Sequence, residues 1–465
     1  MALSFRSVLL LLILAIGAPE FAVRAASVSD DEIDAFAHQA LSRNPHERLD
    51  AIDWLVKHGD ARAVAPLIQL MRWVPEHGDL IDRGLVAITG RPSGGRPAGE
   101  RPSGGHWFDW MVWQQLHPEI LPYRGFTGFA SDLLASIDAQ FRRFVRADLL
   151  FDIRVEEIAW GGVPVDGIPA LDNPFMIPAE DASYLNPDDL VFGVEIDGDE
   201  RAYPLRIMNW HEMANDVVGG VPVSLAYCTL CGAGILYDGR IAGRPASFSF
   251  GSSGLLYRSN KLMYDRQTDS LWDQFTGEPV SGALYRSGIR LAALPLVTTN
   301  WAAWRARHPQ TKVLSLDTGH HRDYGPGVAY QAYFSTPELM FPAAFQSDKL
   351  AQKEIVFGVR VAGGVKAWPL GGFTPGAVIN DRVGLVDVVV FGDAATRSVR
   401  AYDRRGHSFV VGADGEELHE GDRSWKVTEA ALLGPGGETL PRLPGHLAYW
   451  FAWVGNFDAA TLGGD

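Results

Sequence analysis

The stretch Val191-Phe-Gly-Val-Glu-Ile196, Asp197-Gly198, then Arg201-Ala-Tyr-Pro-Leu205 decides the fold. Alternating apolar residues flank an Asp-Gly pair, whose residues accept the positive φ of a two-residue turn, so the segment predicts a β-hairpin. The same phrase returns 165 residues later (356 − 191) as Val356-Phe-Gly-Val-Arg-Val361, a Gly363-Gly364 turn and Lys366-Ala-Trp-Pro-Leu370. At that same offset Asn215-Asp216 falls on Asn380-Asp381, and Tyr237-Asp238 on Tyr402-Asp403. With small gaps, Ser270-Leu-Trp272 falls near Arg423-Ser-Trp425, and Trp301-Ala-Ala-Trp304 on Trp450-Phe-Ala-Trp453. The expectation is a duplicated, antiparallel β-rich domain, with copy one at 151–350 and a degenerate copy two at 351–465.

Such a repeat is its own control. Residues kept in both halves are read as folding residues, and those present in one half need another reason. His211 corresponds to Gly376, Cys228 to Asp393 and Cys231 to Thr396, so every soft-metal donor of this set is missing from copy two together. The strand-like Val221–Tyr227 runs into Cys228-Thr-Leu-Cys231-Gly232, the form of a metal-binding knuckle. With His211 on the preceding loop, the set predicts a Cys2His site for one metal ion, zinc ahead of copper, with an open position. Met263, Asp265 and His308 are the candidates for a fourth ligand. Glu212 is the candidate catalytic base or the carboxylate that orients the imidazole. A metal-dependent enzyme of unknown substrate follows from this reading, and no nucleotide or flavin motif is present.

Two other readings stay open for the cysteines. In one, the chain is a non-catalytic envelope binding or scaffold module whose Cys228–Cys231 pair is a structural disulfide or a pair of buried thiols. In the other, they are a thioredoxin-like redox pair, although Gly-Ala-Gly-Ile-Leu-Tyr237 after Cys231 reads as a strand and not as the helix such pairs require. The polar stretch Gly251–Gly282 offers Lys261, Asp265 and Arg266 as a substrate rim, or else plain hairpin-turn chemistry. Ser253-Gly254 lacks a nucleophile elbow, and position 215 is Asn where a zincin needs His.

The region 27–150 carries a helical period. Ala51, Ile52, Leu55 and Val56 recur at i, i+3 and i+4, and a Gly59-Asp60 break precedes Val64–Met71. This helix–turn–helix resembles a HEAT-type repeat, which implies a scaffold of stacked helices and a protein partner. Trp107, Phe108, Trp110 and Trp113 serve either such a partner or packing against the next domain. Residues 1–26 read as a signal peptide, with Arg6, an apolar Val8–Ala18 and a cut near Ala26, so the protein is expected to be exported, periplasmic or secreted, with no transmembrane segment after cleavage. The whole is an α+β multidomain chain of 465 residues with 47% hydrophobic residues and a net charge of −15, which excludes a phosphate-recruiting basic field and hence nucleic-acid binding.

From Ala202-Tyr-Pro-Leu205 through His211-Glu212, Asn215-Asp216, Tyr227-Cys-Thr-Leu-Cys231, Met263-Tyr-Asp-Arg266 and Trp272 to Thr276-Gly-Glu278 and Trp301-x-x-Trp304, the chain resembles the family called domain of unknown function 3179. His308-Pro309 belongs to the same pattern, and the resemblance covers about 150–465. Thr229 stands where that family usually has Pro. The resemblance implies a domain and no activity, so the expected chemistry rests on the residues themselves.

Overall fold

The computed structural model describes residues 28–93, 106–412, 417–457 and 461–463. The expected signal peptide lies outside them, as does most of the Gly/Pro-rich Gly90–Gly105 stretch. An N-terminal helical region precedes a large β-rich region that holds several similar sheets.

Six helices open the described chain: α1 (Asp30–Gln39), α2 (Pro45–His58), α3 (Val64–Trp73), α4 (Gly78–Thr89), α5 (His106–Leu116) and α6 (Phe126–Ala135). Ser29 and Glu32 form a reciprocal capping box on α1, and Asn44 with Pro45 starts α2, so orphan N–H groups are satisfied where each helix begins. The apolar stripe seen in sequence is the buried one: Ala51, Ile52 and Leu55 of α2 pack with Val64, Leu67 and Ile68 of α3. This core does not stop at the helices. It continues into Leu255, Leu262, Leu271 and Val280 of the first sheet. At the seam, Arg72 lies over the rings of Trp107, Trp160 and Phe341 at 4.5, 5.4 and 5.4 Å from their centroids. Trp110 and Trp113 are buried as well, so the aromatic cluster of α5 serves packing.

The β region holds five sheets among the described residues. In the first hairpin Val191 pairs with Pro204 and Ile196 with Asp199, leaving Asp197 and Gly198 as the turn, at φ 49° and 80°. In the second, Val356 pairs with Pro369 and Val361 with Gly364. The turn there is Ala362-Gly363 rather than the expected Gly363-Gly364, because Gly364 already belongs to the strand. Most pairings are antiparallel. Three among the described residues are parallel, each made by a strand of two or three residues: 312–314 on 199–204, 171–172 on 213–218 and 461–462 on 364–369.

Equivalent residues make equivalent bonds. Asn215 donates to the Phe250 carbonyl at 2.9 Å and accepts from the Phe250 N–H at 2.9 Å, and Asn380 does the same with Phe409 at 2.8 and 2.9 Å. Phe250 meets Trp272 edge to face at 5.6 Å, and Phe409 meets Trp425 in the same way at 5.4 Å. A short helix, Trp301–Arg307 in one half and Trp450–Asn456 in the other, lays its second tryptophan across the hairpin. A Cβ on Gly193 would sit 2.3 Å from the Trp304 ring, and one on Gly358 would sit 1.9 Å from Trp453. Glycine in the Val-Phe-Gly-Val phrase is therefore the floor on which an indole lies.

Gly193→Ala and Gly358→Ala should each lower unfolding free energy by about 1–3 kcal/mol through overpacking against a buried indole, with loss of Trp-sensitive near-UV circular dichroism. Urea melts with both probes check this, and a wild-type midpoint in either variant contradicts the contact.

Candidate functional site

Strand Val221–Cys228 delivers the first cysteine into a 3-10 turn, Thr229–Cys231, closed by Gly232 at φ 61°. Strand Ala233–Asp238 then leaves the turn, as expected. Both cysteines are buried thiols and are not joined in a disulfide. The Cys231 thiol donates to Asn260 Oδ1 at 3.2 Å, and both thiols face the Ser259 carbonyl, at 3.9 Å from Cys228 and 3.6 Å from Cys231. Ser259 and Arg258 form the two-residue turn between strands Phe250–Tyr257 and Asn260–Asp265, and both have positive φ, 64° and 49°. A turn of this type normally takes Asn or Gly, and non-glycine residues there cost roughly 1–3 kcal/mol each. The thiols and the Glu157 carboxylate, which accepts from Arg258 at 2.6 Å, hold it in place. Burial and the neighbouring Cys228 push the Cys231 thiol well above its usual pKa. Reactive cysteines need the opposite shift.

His211 does not join them. It ends α7 (Leu205–His211), a helix where the sequence suggested a loop, and Glu212 follows in the left-handed region at φ 54°. Its Nδ1 donates to the Pro169 carbonyl at 2.8 Å, and its Nε2 accepts from the Tyr324 hydroxyl at 2.6 Å. The lone pair a metal would need is therefore taken by Tyr324, itself held by Thr318 at 2.6 Å. Burial lowers the His211 pKa to about 4, which keeps the ring neutral and suits this bonding.

The expected fourth ligands are elsewhere too. Met263 is fully buried among apolar residues that include Phe250 and Trp272. Asp265 accepts from the Thr268 N–H at 2.6 Å and from Trp272 Nε1 at 2.8 Å, closing a turn. His308 stacks on Trp304 at 3.9 Å and bonds Glu200 through Nδ1 at 2.8 Å. Among the described residues no three His, Cys, Asp or Glu side chains converge on one point. The expected Cys2His site, its zinc or copper ion and the metal-dependent function built on it are therefore corrected. Spacing along the chain brought the right residue types near one another in sequence, while α7 turned the imidazole toward Pro169 and Tyr324.

Glu212 and Lys261 come together instead, with Lys261 Nζ donating to Glu212 Oε2 at 3.2 Å and both side chains buried. Lys261 is thus interior, and the Glu212 main chain accepts from the Tyr227 N–H at 2.8 Å, tying α7 to the cysteine strand. Of the predicted rim, only Arg266 is partly exposed, and it bonds Asp172 at 2.7 Å. Nothing in the residue pattern marked His446, a half-buried imidazole beside Phe275 and Trp453, because a lone histidine within a strand has no spacing to single it out.

A model of the family described as protein of unknown function (DUF3179) matches residues 165–460. The chain belongs to this family. No curated protein and no solved structure matches it. The matched span of this DUF3179 member takes in both hairpins, the cysteine turn and both Trp-x-x-Trp helices, and it begins after the six N-terminal helices.

Removing one partner of the buried pair leaves an unpaired charge, so Lys261→Met should destabilise by about 3–5 kcal/mol, and adding Glu212→Gln should recover most of that loss in urea melts. His211 supplies a pH signature. Its folded pKa, about 4, lies below that of an exposed imidazole, so the unfolded chain binds the proton first and stability drops as pH falls from about 6.5 toward 4. His211→Gln should flatten that part of the stability–pH curve, and an unchanged slope contradicts the assignment.

Proposed function

We propose that the chain is a non-catalytic binding and scaffold module of the cell envelope, in which Cys228-x-x-Cys231 is a structural clamp. The observation that carries this reading is the use made of the two thiols. Both are buried, both face the carbonyl of one strained turn, and Cys231 is held in its protonated state. Glu212 and Lys261, the nearest ionisable pair named from sequence, neutralise each other inside the protein and brace the same turn through strands Val221–Cys228 and Asn260–Asp265. The two thiols and the Glu212–Lys261 pair are all buried side chains.

The reading includes three further elements. The two hairpin units at 151–350 and 351–465 descend from one duplicated unit, which the shared 165-residue offset and the shared Asn–Phe and Phe–Trp contacts support. The helical region at 27–150, with its HEAT-like α2–α3 pair, is the part assigned to a protein partner. Residues 1–26 direct export; among the described residues no helix is long and apolar enough to cross a membrane.

Thiol titration tests the clamp. In the folded protein neither sulfur should react with an aromatic disulfide reagent within minutes, and both should react on unfolding. The Cys228→Ala/Cys231→Ala variant should lose about 1–3 kcal/mol of stability, through lost hydrogen bonds and a small cavity. Rapid reaction of either thiol in the native state overturns the reading. Export is checked by the mature N-terminus in an envelope fraction, expected near Ala26.

A further inference from the structure

A second feature, beyond the strand that leaves the thiol turn, does not depend on the clamp. A cleft of about 370 Å³ opens between the strand Ala233–Asp238 with the segment Arg290–Leu296 on one side, and the end of the second hairpin with Gly445, His446 and Phe457 on the other. That volume is at the lower end of the range for small-molecule sites, which are commonly apolar with a few converging polar groups. Phe275, Phe457 and Leu291 supply apolar walls, and Arg290, Arg360 and His446 supply the polar groups.

The charges are unequal. The Arg360 guanidinium donates to the Thr276 carbonyl at 2.8 Å and lies 5.9 Å from the Phe457 ring centroid. Arg290 is ion-paired with Glu278 at the mouth. Counting Arg290, Arg360 and Glu278 together leaves one net positive charge, and no carboxylate lines the cleft itself.

His446 is the odd member. Its Nε2 is buried and has no hydrogen-bond partner, although the ring is fixed by edge contacts to Phe275 at 5.0 Å and Trp453 at 5.7 Å. Burial, aided by the Arg360 charge, keeps the imidazole neutral down to about pH 3.

We propose that this cleft binds a small organic monoanion, a carboxylate carried on an aromatic or branched apolar body. The carboxylate pairs with the Arg360 fork, a planar partner suited to two parallel N–H···O bonds. Phe275 and Phe457 cover the apolar body. One net positive charge matches a monoanion and leaves a dianion half uncompensated.

Isothermal titration of the folded full chain at pH 7 tests this with sodium phenylacetate, its neutral amide phenylacetamide, and inorganic phosphate. Phenylacetate should bind saturably at one site with Kd of about 1 mM or tighter, and the amide and phosphate about tenfold more weakly or worse. Arg360→Gln should weaken phenylacetate about tenfold or more, the effect of losing a charge-assisted pair. Arg290→Gln, at an exposed residue, should weaken it by about threefold and serves as the deciding variant if Arg360→Gln fails to fold. The proposal is overturned by absent saturation with phenylacetate, by phosphate binding as tightly as phenylacetate, or by unchanged affinity in the folded variants. None of these outcomes bears on thiol reactivity, so the clamp and the cleft stand or fall separately.

Discussion

An indole lying flat on a glycine sets the spacing of each β unit. At Gly193 and Gly358 the strand backbone comes so close to Trp304 and Trp453 that even one methyl group would overlap the ring. The short helix carrying each tryptophan is thereby fixed against its hairpin, and the indole fills what would otherwise be a void between helix and strand. Trp304 is further held by a hydrogen bond from its Nε1 to Thr311 at 3.0 Å. Once helix and hairpin are locked, the Asn215 and Asn380 side chains can stitch the next strands to a phenylalanine main chain in the same way on both sides.

Around the cysteines the same economy of local geometry holds, with a different outcome. Two non-glycine residues in the left-handed region would relax if their surroundings allowed it. Two sulfhydryls, one carboxamide and the Glu157 carboxylate surround that turn and keep it tight. Sulfur is large and weakly polar, so it can accept burial and still offer a directed hydrogen bond. A serine pair would make shorter bonds but fill less of the space that Tyr333 and Tyr449 close from the far side, where Tyr333 donates to the Leu230 carbonyl at 2.6 Å.

What the amino-acid order made legible was periodic or paired. The hairpin register follows from alternation around Asp197-Gly198, and the helical stripe of α2 and α3 from a 3.6-residue period. The strand into Cys228 and the strand out of Cys231 were likewise readable. The position of His211 was not. Its side depends on whether residues 205–211 coil into a helix and on Glu212 taking a positive φ, and neither leaves a mark in residue types alone. The burial of Lys261 was hidden for a related reason: its partner Glu212 is 49 residues away, and only the meeting of two hairpins reveals the pair. Comparing the two hairpin segments pointed to a metal centre at residues that differ, but a difference can mark a turn in need of bracing as readily as a reactive centre.

The seam at Arg72 has an architectural consequence. Its guanidinium is wedged among rings contributed by α5, by the strand at Trp160 and by the loop at Phe341, and the helices share one apolar interior with the sheet that contains Leu255 and Leu262. The family match begins at residue 165, beyond the helices, yet the matched part borrows them as a lid over its own greasy face. Cutting the helical segment away would bare that face to water, and a chain that keeps the sheet without the helices has to cover it by some other means.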